Sequence, residues 1–485
     1  MKKIFSITII VMFLSGCSKS FLDRQPEDTL APGIFFKTPA DIKTGVVAVY
    51  QPLQSIFRVD GLPFMIEQMS DDGGSPYART VWHTFYKDNT NSNSELWNSF
   101  YKMIVNANNI IDVIDNYVPK NDIETKEVNA YKGEASFLRA LAYFYLVRIY
   151  GDVPMVVKSF KDPLLAFGIG RTPVNDIYNK VIIPDLEYAF ANCYKKGDAE
   201  IANEGARATK GAALTILGKV YLTMQNHAKA AETLKKLIVD KAAGDYSLLT
   251  DYSKIWLPVN KFNSESIFEI NYNAGAGTGS YYSRNMSIAV AYLYGGKLGS
   301  GYFVVEKNLM DEFAQYGEVI RYRVSVDSGL ADRLIQPAIL KLSPPLPEAV
   351  NFEKTGTDYN YMVTRYADAL LMYAEALMPS DPTEAVKYVN QVRARVSMSP
   401  IASGDLNLTR MLHERRMELA GEGHRYFDLI RTGKAIEYIS NDLMSNNDYE
   451  GRAFRGEPIP AYQLILPIPV TEIEKDQTLT QNAGY

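Results

Sequence analysis

The stretch from Glu127 to Pro154, EVNAYKGEASFLRALAYFYLVRIYGDVP, is the part of this chain that decides its fold. Apolar and small residues recur in it at steps of three and four and so share one helical face. They are Tyr131, Ala135, Leu138, Ala142, Tyr145 and Ile149. Phe137, Leu141 and Phe144 form a second apolar face, which predicts a helix that is buried nearly all round. Gly151 and Pro154 then end the helix.

Helical patterns come in pairs along the chain. The helix above pairs with a predicted helix at about 95–116, and two further clusters are predicted at 174–240 and at 361–378 with 382–397. In the last pair, Asp381 can cap the second helix and Pro382 suits its first position.

The middle cluster is similar to the tetratricopeptide repeat, W-x₂-L-G-x₂-Y followed by A-x₃-F. The matching residues are Leu214, Leu217, Gly218, Tyr221, Ala230 and Leu234. Small residues such as Gly211 and Gly218 would let two helices approach closely. These patterns predict a mostly α chain, in which tetratricopeptide-like αα-hairpins stack into a superhelix.

Long segments without helical periodicity separate the pairs. They cover residues 60–93, 271–304, 325–360 and 440–485, and the first two are rich in Gly, Asn, Ser and aromatic residues. Long irregular loops on a regular scaffold commonly carry function. We therefore expect a ligand site in these loops.

The N-terminus has the form of an export signal. Lys2 and Lys3 precede an apolar run over residues 4–14, which is too short to span a bilayer. The run ends in Leu14-Ser15-Gly16-Cys17, which looks like the lipobox of bacterial lipoproteins. That resemblance implies cleavage before Cys17 and its modification with acyl chains such as palmitate. The alternative is an ordinary signal peptide that happens to contain a cysteine.

Composition narrows the class further. The net charge of −5 gives no basic surplus for nucleic acid, so we expect no nucleic-acid partner. If Cys17 carries the lipid, Cys193 is the one remaining cysteine and has no partner for an internal disulfide. Aromatic residues make up 12% of the chain, and 33 of them are tyrosines, whose rings combine an apolar face with a polar tip.

Catalytic signatures are missing from the sequence. It contains no HExxH, GxSxG, Walker loop or CxxC, its four histidines are scattered, and no spacing indicates a metal site or a cofactor. Glu418 and Glu422 could be read as a glycosidase pair on one helix face. We favour a structural role, with Arg415 facing Glu418 or Glu422 and Arg425 facing Asp428. We therefore expect no enzymatic activity.

The same stretch resembles the SusD/RagB family, whose signature reads ER…EL…EG-x-R-x-FDLIR. Here the matching residues run from Glu414-Arg415 through Glu418-Leu419 to Glu422–Arg431. Further matches span the chain: Phe21-Leu22-Asp23, Glu134-Ala135 with Phe137–Ala140, Tyr150–Pro154, Arg207–Ala213, Arg365–Asp368, Tyr373–Ala376, Asn390–Arg395 and Gln481–Tyr485. Ala483 departs from the family's QNPGY ending, where proline is usual.

The resemblance implies a SusD-like helical fold and a role in nutrient uptake. Family members are outer-membrane lipoproteins of Bacteroidota that face the cell exterior. They lie as a lid on a SusC-like TonB-dependent β-barrel transporter, to which they pass oligosaccharides or, in some relatives, peptides. We accordingly divide the chain into a signal peptide (1–16), a lipidated tether (17–38), an N-terminal part (39–260) and a C-terminal part (261–485). The last two would pack as one body.

The candidate ligand residues lie in the first two long loops. Flat aromatic rings suit the apolar face of a sugar, and neighbouring polar groups suit its hydroxyls. The candidates are Asp72, Tyr77, Arg79 and Trp82 in the first loop, and Tyr281, Tyr282, Arg284, Asn285 and Tyr294 in the second. Trp82 is the strongest, because it follows a Gly/Ser/Pro turn outside any helical pattern. Trp97 and Trp256 are expected in the core.

Two other functions remain open at this point. A peptide-binding uptake lipoprotein would use clustered Arg and Asp in the loops, whereas the aromatics here favour an oligosaccharide. A surface scaffold would dock other proteins through the loops and bind no small ligand.

Overall fold

A computed structural model describes residues 36–58, 61–74, 80–160, 162–282, 286, 303–327, 337–341, 356–445 and 455–485. The signal sequence and Cys17 lie outside these residues, and so do Tyr77, Arg79, Arg284, Asn285 and Tyr294. The division of the chain at residue 260 stays a prediction.

The described part of the chain is predominantly α-helical. Its α-helices are α1 (Pro39–Ile56), α2 (Leu62–Gln68), α3 (Val81–Thr84), α4 (Ser94–Asp115), α5 (Asp122–Tyr150), α6 (Val174–Ile177), α7 (Ile183–Asn192), α8 (Lys210–Thr223), α9 (His227–Ile238), α10 (Lys307–Gln315), α11 (Val319–Ser325), α12 (Tyr366–Leu377), α13 (Pro382–Arg395), α14 (Leu408–Leu419), α15 (Arg425–Arg431), α16 (Ala435–Met444) and α17 (Val470–Lys475). A π-helical segment, Tyr178–Ile182, joins α6 to α7.

The long helices stack in chain order. Each packs on the next along the series α1, α4, α5, α7, α8, α9, α12 and α13. This arrangement confirms the predicted mostly α fold with tetratricopeptide-like hairpins. None of the helices that the structure describes is both long and apolar enough to cross a bilayer.

Helix α5 is buried nearly all round within the stack, as its two apolar faces predict. Asn121 caps it by accepting a hydrogen bond from the Glu124 backbone N–H at 2.9 Å. Nearly every side chain from Ala130 to Tyr150 is buried. Trp97 of α4 is also buried and meets Tyr150 edge-on, with 5.0 Å between ring centroids. Trp256 is buried too, so both tryptophans expected in the core are there.

The hairpin of α8 and α9 shows why a small residue is needed at Gly218. A Cβ atom added there would lie 2.6 Å from Cγ of Leu234, closer than any real packing contact. The close approach predicted from the repeat pattern is therefore confirmed for Gly218. Gly211 instead faces the Tyr246 hydroxyl, outside the hairpin.

The described strands are short and pair in antiparallel twos. They are β1 (Gly73–Gly74) with β3 (Val304–Val305), β2 (Ser266–Ile270) with β6 (Tyr361–Arg365), and β4 (Val326–Asp327) with β5 (Ala338–Ile339). The prediction of a helix from residue 361 was wrong, because residues 361–365 form β6 and the helix begins at Tyr366. All five β6 residues are buried, so the strand shows no alternation that sequence could reveal.

One hydrophobic cluster extends from the stacked helices to the C-terminal helices. It includes Ile42 of α1, Phe137 of α5, Leu370 of α12 and Leu429 of α15. Helix α13 begins as predicted, since Asp381 accepts a hydrogen bond from the Glu384 backbone N–H at 2.9 Å. The stack and the C-terminal helices thus share one core beneath the loops.

Candidate functional site

The two loops that carry the ligand candidates are joined by the β1–β3 pair. Gly73 pairs with Val305, and Gly74 pairs with Val304. The backbone N–H of Glu306 also donates to the Asp72 carbonyl at 2.9 Å. The end of the second loop therefore lies against the base of the first, although some 230 residues separate them in the chain.

Buried arginines hold the base of the first loop. Arg425 donates to both carboxylate oxygens of Asp71, at 2.7 and 2.8 Å. Arg416 donates to Asp72 Oδ1 and to the Asp71 carbonyl, each at 2.6 Å. Although burial opposes ionisation, Arg416 and Arg425 lower the pKa of Asp71 well below its ordinary value. The predicted pairing of Arg425 with Asp428 was wrong, because Asp71 occupies that guanidinium.

A single turn after α14 anchors the neighbouring segments. The Tyr282 hydroxyl donates to the Gly421 carbonyl at 3.1 Å, and the Tyr361 hydroxyl donates to the Glu422 carbonyl at 2.8 Å. Glu67 accepts a hydrogen bond from the Gly423 backbone N–H. Gly423 has φ +76°, and a Cβ there would lie 2.4 Å from the Tyr361 hydroxyl. Only glycine suits this position.

Next to the turn lies a buried network of ion pairs centred on Arg365. Its guanidinium donates to the carboxylates of Glu265, Glu418 and Glu422, each at 2.7 Å. It also donates to the Glu418 carbonyl at 2.8 Å. Although burial raises it, the pKa of Glu418 is lowered well below its ordinary value by its arginine neighbours, of which Arg395 is the strongest. These contacts support a structural role for Glu418 and Glu422.

Two details of the predicted ion pairing were wrong. Arg415 faces neither Glu418 nor Glu422 but donates to Asp428 at 2.8 Å and to Asp368 at 2.9 Å. The two glutamates do not share a helix, because α14 ends at Leu419 and Glu422 lies in the following turn. Spacing along one helix could not reveal partners that come from other elements.

The described ligand candidates fall into two groups. Trp82 and Tyr281 are partly exposed, and Trp82 also packs against the core. Trp82 lies in the one-turn helix α3, contrary to the expectation that it stands outside any helix. Asp72 and Tyr282 are buried, bonded to Arg416 and to the Gly421 carbonyl, and so in this conformation offer no side chain to a ligand.

Sequence reasoning missed one residue beside the candidates. The Arg58 guanidinium lies over the Tyr281 ring, 4.7 Å from its centroid. Arg58 is exposed at the end of the segment that follows α1. No motif signals it, because its relation to Tyr281 depends on two segments that are far apart in the chain.

Glu67 predicts a pH dependence of stability. Burial, and then the nearby charge of Asp72, raise its pKa from 4.5 to about 8. The folded state therefore binds this proton more tightly than the unfolded state, and stability falls as pH rises from about 4.5 to 8. The glutamine of Glu67→Gln is neutral at every pH. We therefore expect the unfolding free energy of this variant to depend less on pH in that window. Urea titrations at pH 5, 6, 7 and 8 measure it.

The exposed acid Glu187 provides a matched control, and Glu187→Gln should leave the slope unchanged. Equal slopes for Glu67→Gln and the wild type would contradict the assignment. Asp442 also has a raised pKa, so the slope of the variant should be smaller but not zero.

Among the residues that the structure describes, no group of His, Cys, Asp and Glu is arranged to hold a metal ion. The described loop residues include the partly exposed rings of Trp82 and Tyr281 together with buried ion pairs such as that of Arg425 with Asp71.

Comparison with known proteins places this architecture in a class. The family model described as "SusD family" matches residues 341–485, and the model described as "Starch-binding associating with outer membrane" matches residues 20–222. A solved laminarin-binding SusD-like protein superposes with a TM-score of 0.77 and 26% identity, over 93% of this chain and 100% of that one. The fold is therefore that of the SusD-like proteins, helical scaffolds with long irregular loops.

Sequence relatives agree with the structural likeness. SusD-like protein P2 of Formosa agariphila is 28% identical over the whole of both chains. The starch-binding protein SusD of Bacteroides thetaiotaomicron is 23% identical over 73% of this chain and 72% of its own. The chain belongs to the SusD/RagB family. The names of several relatives describe them as glycan-binding proteins.

Proposed function

We propose that this protein binds oligosaccharides and delivers them to a SusC-like TonB-dependent β-barrel transporter. The observation that carries the proposal is the likeness to the laminarin-binding SusD-like protein, which extends over nearly the whole chain. The joined loops support it, because they bring the bases of two aromatic-rich segments together on one scaffold.

The chemistry of the site fits a sugar. Trp82 and Tyr281 present partly exposed rings, which can stack on the apolar face of a pyranose. A few such contacts give dissociation constants between about 1 mM and 1 µM. Weak binding serves a protein that must release its cargo to a transporter. Glu418 and Glu422 are held by Arg365, so we infer binding without hydrolysis.

The location follows from the N-terminus and the family. We propose that Cys17 carries the lipid that anchors the protein in the outer membrane, with the body on the exterior side. The description of one matching family model, which names association with the outer membrane, supports this location. The transporter partner comes from the family resemblance.

Trp82→Ala should abolish retardation by the polysaccharide that the wild type binds. Removal of the indole takes away the larger of the two described rings, and we expect affinity to fall about tenfold or more. The measurement is native gel electrophoresis of the body from Ser18 onwards, in gels containing starch, laminarin, xylan, mannan or host glycans. Melting temperatures of both proteins show whether folding is retained.

Phe167→Ala is the matched control, because Phe167 is an aromatic residue 46% exposed outside the two loops. It should leave retardation unchanged. If no polysaccharide retards the wild type, glycan binding is contradicted, and peptide capture or a scaffold role replaces it.

A further inference from the structure

A cleft of about 450 Å³ opens beside the base of the first loop. Helices α10 and α16 form its walls, and Asp71 and Arg416 line it from the loop base and from α14. None of the predicted ligand residues lines it. The cleft therefore adjoins the candidate site without being part of it.

The carboxylates of the cleft already have cationic partners. Glu437 pairs with Lys434 at 2.7 Å, and Asp311 pairs with Lys307. Glu312 accepts hydrogen bonds from Arg416 and from the ring of His413. These pairs cancel much of the acidic charge, so the cleft gives a cationic ligand little advantage.

Asp442 forms no ion pair with another described residue, although the charge of Arg416 favours its ionised form. It is 6% exposed and accepts a hydrogen bond from the Asn308 amide. Burial, followed by the charge of Asp71, raises its pKa from 3.8 to about 8. The raised pKa favours the protonated carboxyl group, which both donates and accepts hydrogen bonds.

Arg416 is the one cation among the described lining residues, and four of its five N–H donors have acceptors. The acceptors are Asp72 Oδ1, the Asp71 carbonyl, Asn308 Oδ1 and Glu312. Among the described lining residues, an anionic ligand would thus meet several carboxylates and little free donor capacity on a cation. Sulfate and uronate groups would lose their hydration without compensation.

The remaining surface suits hydroxyl groups. Tyr316 is 39% exposed and its ring also contacts that of His413, with 3.9 Å between centroids. Tyr438 is half-buried beneath the Arg425 guanidinium, so each residue offers only part of a ring. Asn441 and Gln315 add exposed amides, which donate and accept hydrogen bonds. Partly exposed rings beside neutral donors and acceptors are what a pyranose needs.

We propose that this cleft is a subsite for uncharged sugar residues and discriminates against sulfated and uronic-acid glycans. The inference rests on the proposed function, because it assumes that the ligand is a glycan. Beyond the proposed function, the inference specifies uncharged sugars as the ligand class and the cleft as a second region of contact. Tyr316 and Asn441 are the residues that would touch the sugar.

The test compares neutral polymers with charged polymers of the same backbone. The probes are laminarin, xylan, mannan and starch, each beside its chemically sulfated derivative, in affinity gels and calorimetry with the whole body from Ser18. We expect the neutral polymer to bind at least tenfold more tightly than its sulfated form. Asn441→Ala and Tyr316→Ala should each weaken neutral binding about tenfold.

Asn179→Ala controls for the loss of an exposed amide elsewhere and should change nothing. Glu437→Lys should narrow the gap between neutral and sulfated polymers. Equal or tighter binding of the sulfated polymer overturns the inference. So does neutral binding that depends on Trp82 but not on Tyr316 or Asn441, and in that case the proposed function stands. If no polymer binds, both fail.

Discussion

Arg365→Met is expected to lower the free energy of unfolding by about 3–5 kcal/mol, the largest loss in this chain. Arg365 is fully buried, and it joins the end of β6 to Glu265 just before β2, to α14 and to the turn that anchors the loops. Its loss leaves the buried carboxylates of Glu265, Glu418 and Glu422 with fewer partners. Native proteins have about 5–15 kcal/mol in total, so the variant should fold marginally.

Arg365→Lys separates charge from geometry. Lysine retains the positive charge, but it cannot form the fork of five N–H donors that reaches three carboxylates. We expect Arg365→Lys to lower the free energy of unfolding by less than Arg365→Met does. Arg323→Met is the matched control, because Arg323 is exposed and should change stability by less than about 1 kcal/mol.

Urea titrations followed by circular dichroism measure all three variants. An Arg365→Met protein as stable as Arg323→Met would show that the ion-pair network contributes no net stability. The glycan gels are uninformative for a variant that does not fold, so stability is the primary readout here.

Arg416→Met is expected to be the second most damaging change, at about 3–5 kcal/mol. Arg416 ties the first loop to α10, through Asp72, Asn308 and Glu312. Asp72 is 0% exposed and burial already raises its pKa, so its ionisation would cost still more without Arg416. The β1–β3 pair lies directly beyond it, so the amides of Gly74 and Val305 should also lose protection from hydrogen exchange.

A double-mutant cycle tests the cause. Asp72→Asn removes the charge that Arg416 compensates, so Arg416→Met with Asp72→Asn should recover part of the stability lost in Arg416→Met alone. Strict additivity of the two single changes would show that the pair is not coupled. Where the double variant folds, retardation by the glycan should still be weakened, because the loop base has lost its anchor.

Local sequence predicted the helical scaffold well. The apolar steps of α5, the cap at Asp381 and the small residue at Gly218 each act within one helix or one hairpin. Periodicity is a local property, so it survives in the sequence. The strand β6 was not predicted, because it is buried on both faces and its partner, β2, lies about 95 residues earlier.

The candidate site was predictable only in part. The residue types of the two loops point to a sugar, and Trp82 and Tyr281 are placed where their rings are partly exposed. The roles of Asp72 and Tyr282 could not be inferred, because Arg416 and Gly421, which hold them, lie far along the chain. The cleft between α10 and α16 has no sequence motif at all.

The sequence by itself thus determined the stacked helical hairpins and the aromatic character of the loops, while the export signal stays a prediction. The tertiary structure alone decided which arginine meets which carboxylate, which polar side chains are closed off, and that the two loops share a strand pair. The reason is physical. Helix formation and capping depend on neighbours within a few residues, whereas buried ion pairs are chosen by the packing of elements that can be hundreds of residues apart.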